Sequence, residues 1–196
     1  MDYSEPDSTA VTSAKIVIAG GFGVGKTTLV GSVSDIEPLR TEALVTDESS
    51  LVDDLSALPR KDTTTVAMDF GRINLAEDLV LYVFGTPGQN RFWFMWDDLV
   101  RGAIGAIILI DTRRLDDSFA AVDYFESKGL PFVVAINEFD GAARYPVTDI
   151  RQAMALPPEV PIIAIDARDR DSARGALITL SQYALASLPP LQPATG

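Results

Sequence analysis

One short segment near the start of the chain constrains its fold more than any other: Gly20-Gly21-Phe22-Gly23-Val24-Gly25-Lys26-Thr27. It matches the phosphate-binding pattern G-x-x-x-x-G-K-[ST]. The apolar residues 16–19 before it predict a buried strand, and the residues from Lys26 onward predict a helix. Glycines let consecutive N–H groups turn toward phosphate oxygens, and a helix start adds partial positive charge. The segment therefore predicts a P-loop that binds a nucleoside di- or triphosphate.

This loop assigns a role to each of its polar side chains. The Lys26 amine is expected to bridge the β- and γ-phosphates, and the Thr27 hydroxyl to ligate Mg²⁺. The residues expected to contact the nucleotide here are Gly20, Gly21, Phe22, Gly23, Val24, Gly25, Lys26, Thr27 and Thr28.

Composition removes several classes of function. The chain has no cysteine and no histidine, which excludes disulfides, thiol nucleophiles, zinc sites and histidine acid–base chemistry. A bound metal is therefore expected to be a hard cation such as Mg²⁺. The net charge of -12 argues against a nucleic-acid partner. No apolar run is long enough to span a bilayer, so we expect a cytoplasmic protein without direct membrane insertion, peripheral to the membrane at most through its partners.

Strand and helix patterns alternate along most of the chain. We predict a single domain over residues 14–188, between tails at 1–13 and 189–196. Strands are predicted at 15–19, 66–74, 79–84, 103–110, 132–136 and 162–165, and helices at 26–33, 91–101, 116–128, 147–155 and 173–187. Strands that are apolar throughout are typical of parallel sheets with helices on both faces. The fold class is therefore α/β, with a six-stranded, mostly parallel sheet and one antiparallel strand. The acidic stretch 34–62 is either functional or mobile.

Three further segments follow the P-loop in order. They are the run Thr63-Thr64-Thr65, the turn Gly85-Thr86-Pro87-Gly88-Gln89 and the loop Asn137-Glu138-Phe139-Asp140. With these, the chain resembles the Ras-like small GTPases over nearly its whole length. The segment from Gly85 to Trp96 is similar, more narrowly, to the bacterial branch, which includes MglA-type proteins and the GTP-binding proteins of actinobacterial conservon operons. The resemblance implies a small-GTPase-like P-loop NTPase fold, GTP/GDP and Mg²⁺ as ligands, and a molecular switch.

The resemblance also implies roles for the two switch segments. Thr65, or Thr64 if the register differs by one, would ligate Mg²⁺ and sense the γ-phosphate. A threonine run is also simply a good strand former. Gly88 would donate its N–H to the γ-phosphate, and Gln89 would orient the attacking water. No arginine finger is obvious, and Arg91 and Arg72 are the candidates near these switches.

The base would be read by two later loops. Asp140 can accept hydrogen bonds from guanine N1–H and the 2-amino group, a donor pair that adenine lacks. Asn137 would tie this loop to the P-loop. The segment Asp166-Ala167-Arg168 lies where the resembled family gives a backbone N–H to guanine O6.

Two positions depart from the resembled family. Gly85 stands where the family has an aspartate that holds Mg²⁺ through water, so the metal would depend on Thr27, Thr65 and phosphates, with help from Asp69 or Asp111. We therefore expect slow hydrolysis. Glu138 stands where the family has a lysine along the base, which predicts weaker guanine affinity with selectivity retained.

The residues after the second switch predict a protein interface. Phe92, Trp93, Phe94, Met95 and Trp96 are consecutive, and a helix cannot bury all of them on one face. By resemblance, the partners are roadblock-type regulators or sensor-kinase-like proteins. Two other functions stay open, a P-loop ATPase or small-molecule kinase and a non-hydrolysing nucleotide-dependent adaptor.

Overall fold

A seven-stranded sheet carries the functional loops in the computed structural model of the chain, which describes residues 11–46, 63–88 and 94–188. In chain order the strands are β1 (Thr12–Gly20), β2 (Leu39–Thr46), β3 (Thr63–Ala76), β4 (Leu79–Gly85), β5 (Gly105–Ile110), β6 (Phe132–Asn137) and β7 (Ile162–Ile165). The helices are α1 (Lys26–Val33), α2 (Trp96–Val100), α3 (Asp116–Lys128), α4 (Val147–Ala153) and α5 (Arg170–Ala186).

The strands lie in the order β2-β3-β4-β1-β5-β6-β7. β1 is parallel to β4 and β5, and β6 is parallel to β5 and β7. β3 is antiparallel to both of its neighbours, so it alone among the described strands runs against the others. This confirms the predicted α/β class with one antiparallel strand, and β3 and β4 form the expected hairpin.

The additional strand is β2, which lies within the stretch 34–62 that the sequence left open. Its sequence, Leu-Arg-Thr-Glu-Ala-Leu-Val-Thr, has no regular apolar alternation. Among the described strands β2 lies at the edge of the sheet and pairs with β3 alone, over eight residue pairs from Leu39↔Phe70 to Thr46↔Thr63. Charged residues are common on edge strands because they disfavour pairing with a further strand, and here they interrupt the apolar pattern. The rest of that stretch, residues 47–62, lies outside the described residues, as do the tails up to residue 10 and from residue 189.

The two faces of the sheet are covered by different helices. Leu29 of α1 and Leu180 of α5 pack on one face, and Trp96 of α2 and Phe125 of α3 pack on the other. All six residues of β5 and of β6 are buried, as expected for central parallel strands between two helical layers. The carboxyl ends of these parallel strands therefore meet at one edge of a rigid core, where the functional loops begin.

Helix boundaries differ from the predictions where capping decides them. α1 and α3 have the predicted bounds. α5 begins at Arg170, earlier than predicted, because the Asp169 side chain accepts a hydrogen bond from Ser172 N at 2.7 Å and so caps the helix. α2 is shorter than predicted and follows a 3₁₀ turn at Phe94 and Met95. Residues 91–93, where the longer helix was predicted to start, lie outside the described part of the chain.

Candidate functional site

The P-loop connects the end of β1 to the start of α1 through backbone conformations that favour glycine. Gly20 has φ +134° and Gly25 has φ +107°. A Cβ at Gly20 would lie 2.3 Å from the carbonyl oxygen of Leu109, and one at Gly25 would lie 2.5 Å from Nδ2 of Asn137. Side chains at either position would clash with fixed neighbours, so the path of the loop requires glycine.

The side chain of Lys26 is buried within this loop, and its amine contacts the first two residues of the loop. Its Nζ donates hydrogen bonds to the carbonyl oxygens of Gly20 at 2.8 Å and Gly21 at 2.6 Å. The residue is only 8% exposed. Burial lowers the pKa of the amine to about 8, against an opposing effect of the nearby Asp69 carboxylate. An anion such as a phosphate would favour the charged amine, so the site is electrostatically suited to one.

A cavity of about 390 Å³ lies over the loop, lined by Phe22, Gly23, Gly25, Lys26, Thr27, Thr28, Asp69, Thr86 and Gly88. Of the predicted switch residues, Gly88 lines this cavity. A Cβ there would lie 2.7 Å from Lys26 Nζ and 3.0 Å from Phe22 Cα. The Thr86 hydroxyl is buried, with no hydrogen-bond partner within the described ranges. Buried hydroxyls normally have partners, so this oxygen is available to a ligand or water in the cavity.

The cavity contains the carboxylate of Asp69, one of the two acidic side chains that the sequence offered as a substitute for the aspartate missing at Gly85. Asp69 of β3 is paired with Gly85 of β4 in the antiparallel ladder. The Thr27 hydroxyl donates a hydrogen bond to Asp69 Oδ2 at 2.5 Å. A Cβ at Gly85 would lie 3.2 Å from Asp69 Cβ and 3.3 Å from its Oδ2. The carboxylate of Asp69 therefore fills the space that a side chain at position 85 would need.

The other carboxylate that could help to hold Mg²⁺, that of Asp111, is paired with an arginine. Asp111, at the end of β5, is 3% exposed and accepts hydrogen bonds from Arg113 Nε at 2.9 Å and Nη2 at 2.7 Å. The hydrogen bonds from Arg113 lower the pKa of Asp111. The Arg113 guanidinium lies over the ring of Phe139 at 4.2 Å, which braces the predicted base-reading loop.

The structure places Thr65, the threonine predicted to ligate Mg²⁺, in a strand. It lies within β3, paired with Leu44 of β2. At about 3.3 Å per residue, its Cα is about 13 Å along the strand from that of Asp69. Gln89 and Arg91 lie outside the described residues.

Asn137, at the end of β6, joins three loops. Its Nδ2 donates to the carbonyl oxygen of Val24 in the P-loop at 2.9 Å, and its Oδ1 accepts from the N–H of Ala167 at 3.0 Å. The residue is 6% exposed. The side chain thus lies where the sequence predicted it, between the P-loop and the two loops expected to surround the base.

The predicted base-reading carboxylate already has a partner. Arg168 donates from Nη1 to Asp140 Oδ2 at 2.9 Å and from Nη2 to Asp140 Oδ1 at 3.1 Å. It also holds Asp166, with Nε 2.9 Å from Oδ1 and Nη2 2.8 Å from Oδ2. Hydrogen bonds from Arg168 lower the pKa of Asp140 and bring that of Asp166 to about 2. The N–H of Ala167 is used by Asn137, so guanine O6 would have to share that donor.

Glu138, which stands where the resembled family has a lysine, takes part in an ion pair. Its carboxylate pairs with Arg144 at 3.0 Å.

The sequence analysis did not identify Arg114, which donates from Nη2 to the P-loop carbonyl of Phe22 at 2.9 Å. Arg114 follows β5 by four residues, and no local motif distinguishes it from other surface arginines.

The aromatic segment divides between surface and core. Phe94 is 63% exposed, but Trp96 is 2% exposed and packs against Tyr124 and Phe125. Trp96 is therefore a core residue and is not available to the protein interface that the sequence predicted over residues 92–96. Phe92 and Trp93 lie outside the described residues.

Comparison with known proteins identifies the family. Residues 18–187 match a family described as conserved hypothetical ATP binding protein. The chain belongs to this ATP-binding protein family. It is 30% identical over 128 residues to an uncharacterised protein of Methanocaldococcus jannaschii, covering 64% of this chain and 70% of that protein. It is 26% identical over 181 residues to the human Ras-related protein Rab-7b, covering 87% of this chain and 82% of that protein.

Solved structures support the same fold for this ATP-binding protein family member. The FeoB G-domain of Methanococcus jannaschii superposes with a TM-score of 0.58 at 13% identity, covering 89% of this chain and 99% of that one. The apo cytosolic domain of the T. maritima FeoB iron transporter gives a TM-score of 0.59 at 14% identity, covering 88% and 64%. The fold is that of a G-domain P-loop NTPase, and fold and family together support nucleotide binding. No helix within the described ranges has the length and apolar character needed to cross a membrane.

Proposed function

We propose that this chain is a GTP-binding molecular switch that binds GDP or GTP with Mg²⁺, hydrolyses GTP slowly and signals through contacts of its switch segments with regulatory proteins. The observation that carries the proposal is the pair of hydrogen bonds from Asn137 to Val24 and Ala167. They join a phosphate-binding loop to two loops at one edge of the sheet. A nucleotide with its phosphates at Lys26 and its base near Asp140 would span this edge.

The phosphates have the better-defined half of the site. The Lys26 amine and the P-loop N–H groups would neutralise the β- and γ-phosphates, and the N–H of Gly88 would contact the γ-phosphate. Gln89, which lies outside the described residues, would orient the attacking water. The chain's own contribution to hydrolysis is therefore positioning and electrostatic stabilisation.

Magnesium fits the donor set of the cavity. Thr27 and Asp69 place a hydroxyl and a carboxylate oxygen 2.5 Å apart, and Mg²⁺ prefers such oxygen ligands. Within the described ranges no three acidic side chains are placed to hold a metal ion together, so the nucleotide would have to supply part of the metal's coordination. When bound, Mg²⁺ would neutralise charge on the β- and γ-phosphates. Ligation by Thr65 would also require the first part of β3 to leave its pairing with β2.

A second candidate function is an ATPase or an ATP-dependent switch. The family is described by ATP binding, and the Asp140 carboxylate that would select guanine is engaged by Arg168. The two functions share the phosphate site and differ only in the base, so they are separated by base selectivity.

The first test is competition of GDP, GTP, ADP and ATP for a fluorescent nucleotide on the Mg²⁺-loaded protein. A guanine preference of about a hundredfold, or about 3 kcal/mol, supports the GTP switch. The Asp140→Asn variant should lose this preference because an amide cannot accept both guanine hydrogen bonds. Asp149→Asn, which makes the same charge change at an exposed position on α4, should keep it. Equal or adenine-favouring binding in the wild type would support the ATP function instead.

Hydrolysis is tested separately. Slow release of phosphate from GTP that the Gln89→Leu variant abolishes supports an enzyme. Binding without any release supports a nucleotide-dependent adaptor. A partner that binds equally well to the GDP and GTP forms would contradict switching, because equal affinity shifts no equilibrium.

A further inference from the structure

Arg168 holds the proposed base-reading carboxylate through a two-pronged hydrogen bond. Its two terminal nitrogens, Nη1 and Nη2, donate to the two oxygens of Asp140 at 2.9 and 3.1 Å. The guanidinium end therefore presents two parallel N–H groups to one carboxylate. Guanine presents the same pattern from N1–H and its 2-amino group, so the arginine and the base need the same acceptor.

We propose that Arg168 is a specificity-determining residue that competes with guanine for Asp140. This competition reduces the protein's preference for guanine over other bases. The inference rests on the proposed function, since it requires the base to lie against Asp140. A guanine nucleotide must displace the guanidinium before Asp140 can accept its two N–H groups. An adenine nucleotide offers no such donor pair and therefore does not enter this competition.

The arginine has a second carboxylate to hold it when it is displaced. Asp166 accepts from Nε at 2.9 Å and from Nη2 at 2.8 Å, using a different side of the guanidinium. Its carboxylate also accepts the backbone N–H of Arg168 at 2.9 Å. Arg168 can thus leave Asp140 while keeping Asp166 as a charged partner, so displacement by a base costs one of its two ion pairs and not both.

The exposure of the pair sets the size of the effect. The side chains of Arg168 and Asp140 are 58% and 85% exposed, so water screens their interaction. Pairs of this kind typically change an equilibrium by about twofold to fivefold. Removing the arginine fork should therefore raise guanine selectivity by about that factor and not by orders of magnitude.

The experiment compares GDP, IDP and ADP on the wild type and on Arg168→Ala and Arg168→Lys. IDP lacks the 2-amino group and can offer Asp140 only one donor. The ratio of the GDP and IDP dissociation constants therefore isolates the base edge, because the diphosphate is common to both. Lysine keeps the positive charge but cannot form the fork. Arg144→Ala removes an exposed arginine paired with Glu138 in the same loop region and serves as the control.

Each outcome distinguishes the inference from the proposed function. An increase of about twofold to fivefold in preference for GDP over IDP and over ADP in both Arg168 variants, with none in Arg144→Ala, supports the inference. A guanine preference in the wild type that the Arg168 variants leave unchanged overturns the inference alone. Equal binding of GDP, IDP and ADP by every variant and the wild type overturns guanine reading by Asp140, and the inference with it.

Discussion

Exchanging the residues at positions 69 and 85 tests whether Asp69 on β3 takes the metal-holding role of the aspartate that Gly85 on β4 lacks. The two residues are paired in the ladder, and Asp69 Oδ2 accepts the hydrogen bond from Thr27 at 2.5 Å. We predict that Asp69→Gly weakens the dependence of nucleotide retention on Mg²⁺. Loss of a carboxylate that orients a metal ligand typically reduces metal affinity about 10- to 100-fold, or about 1.4 to 2.7 kcal/mol.

The single substitution Gly85→Asp should be destabilising rather than neutral. Its Cβ would lie 3.2 Å from Asp69 Cβ, which forces two carboxylates into one space. Two like charges about 4 Å apart repel by about 4 kcal/mol at an effective dielectric constant of about 20. The penalty should diminish at acidic pH, because a shared proton removes one charge. The double variant, Asp69→Gly with Gly85→Asp, keeps one glycine and one aspartate in the pair and should restore both stability and the Mg²⁺ effect.

The assay measures the release rate of fluorescent GDP across a Mg²⁺ titration, with thermal unfolding followed by circular dichroism on the same proteins. The expected order of Mg²⁺ affinity places wild type and double variant together, above Asp69→Gly. If Asp69→Gly retains the wild-type response to Mg²⁺ while remaining folded, Asp69 does not serve the metal. If the double variant is folded but its GDP release does not respond to Mg²⁺, an aspartate at position 85 cannot replace Asp69.

Three further predictions concern the frame of the site. Burial lowers the folded-state pKa of Lys26 from 10.5 to about 8, so between these pH values the unfolded chain binds more protons than the folded one. The free energy of unfolding should therefore rise with pH across this range, by up to about 3 kcal/mol. Urea titrations of nucleotide-free wild type and Lys26→Met measure this rise, and an equal dependence on pH in both proteins would contradict the prediction. Asn137→Ala should leave the carbonyl of Val24 and the N–H of Ala167 unpaired, lowering stability by about 2 kcal/mol and the melting temperature by about 4–8 °C; calorimetry measures this, and an unchanged melting temperature would refute it. Arg114→Ala removes an exposed brace of the P-loop and should speed GDP release about fivefold, roughly 1 kcal/mol, in a stopped-flow chase, whereas an unaltered rate would mean that the brace is dispensable.

The central strands and the P-loop could be predicted from the sequence because their signals are local. Apolar runs predicted β5 and β6, which are buried along their whole length. The glycine spacing predicted a loop whose φ angles do require glycine. β2 was missed because an edge strand pairs on one side only and carries no regular apolar pattern.

The contacts that distinguish this site are not local, and the sequence could only narrow them. It left Asp69 and Asp111 as alternatives for Gly85, and the pairing of β3 with β4 places Asp69 beside Thr27, while Arg113 holds Asp111. The contact of Arg168 with Asp140 joins residues 28 positions apart, and nothing in either motif indicates it. The roles predicted for Thr65 and Gln89 stay predictions.

Because Thr65 is paired in the ladder between β2 and β3, it can move toward the cavity only if part of that ladder separates. Near Leu39 the ribbon is clamped, because the Ser34 hydroxyl donates to the carbonyl of Ile36 at 2.7 Å and accepts from Arg72 N–H at 3.2 Å. We therefore expect any separation to begin at the Thr46 end, where three residue pairs must open to reach Thr65. At about 1 kcal/mol per hydrogen bond, this opening would occur in on the order of one molecule in a hundred. A ligand that binds Thr65 would then select and stabilise this minor open state, which thermal motion already populates.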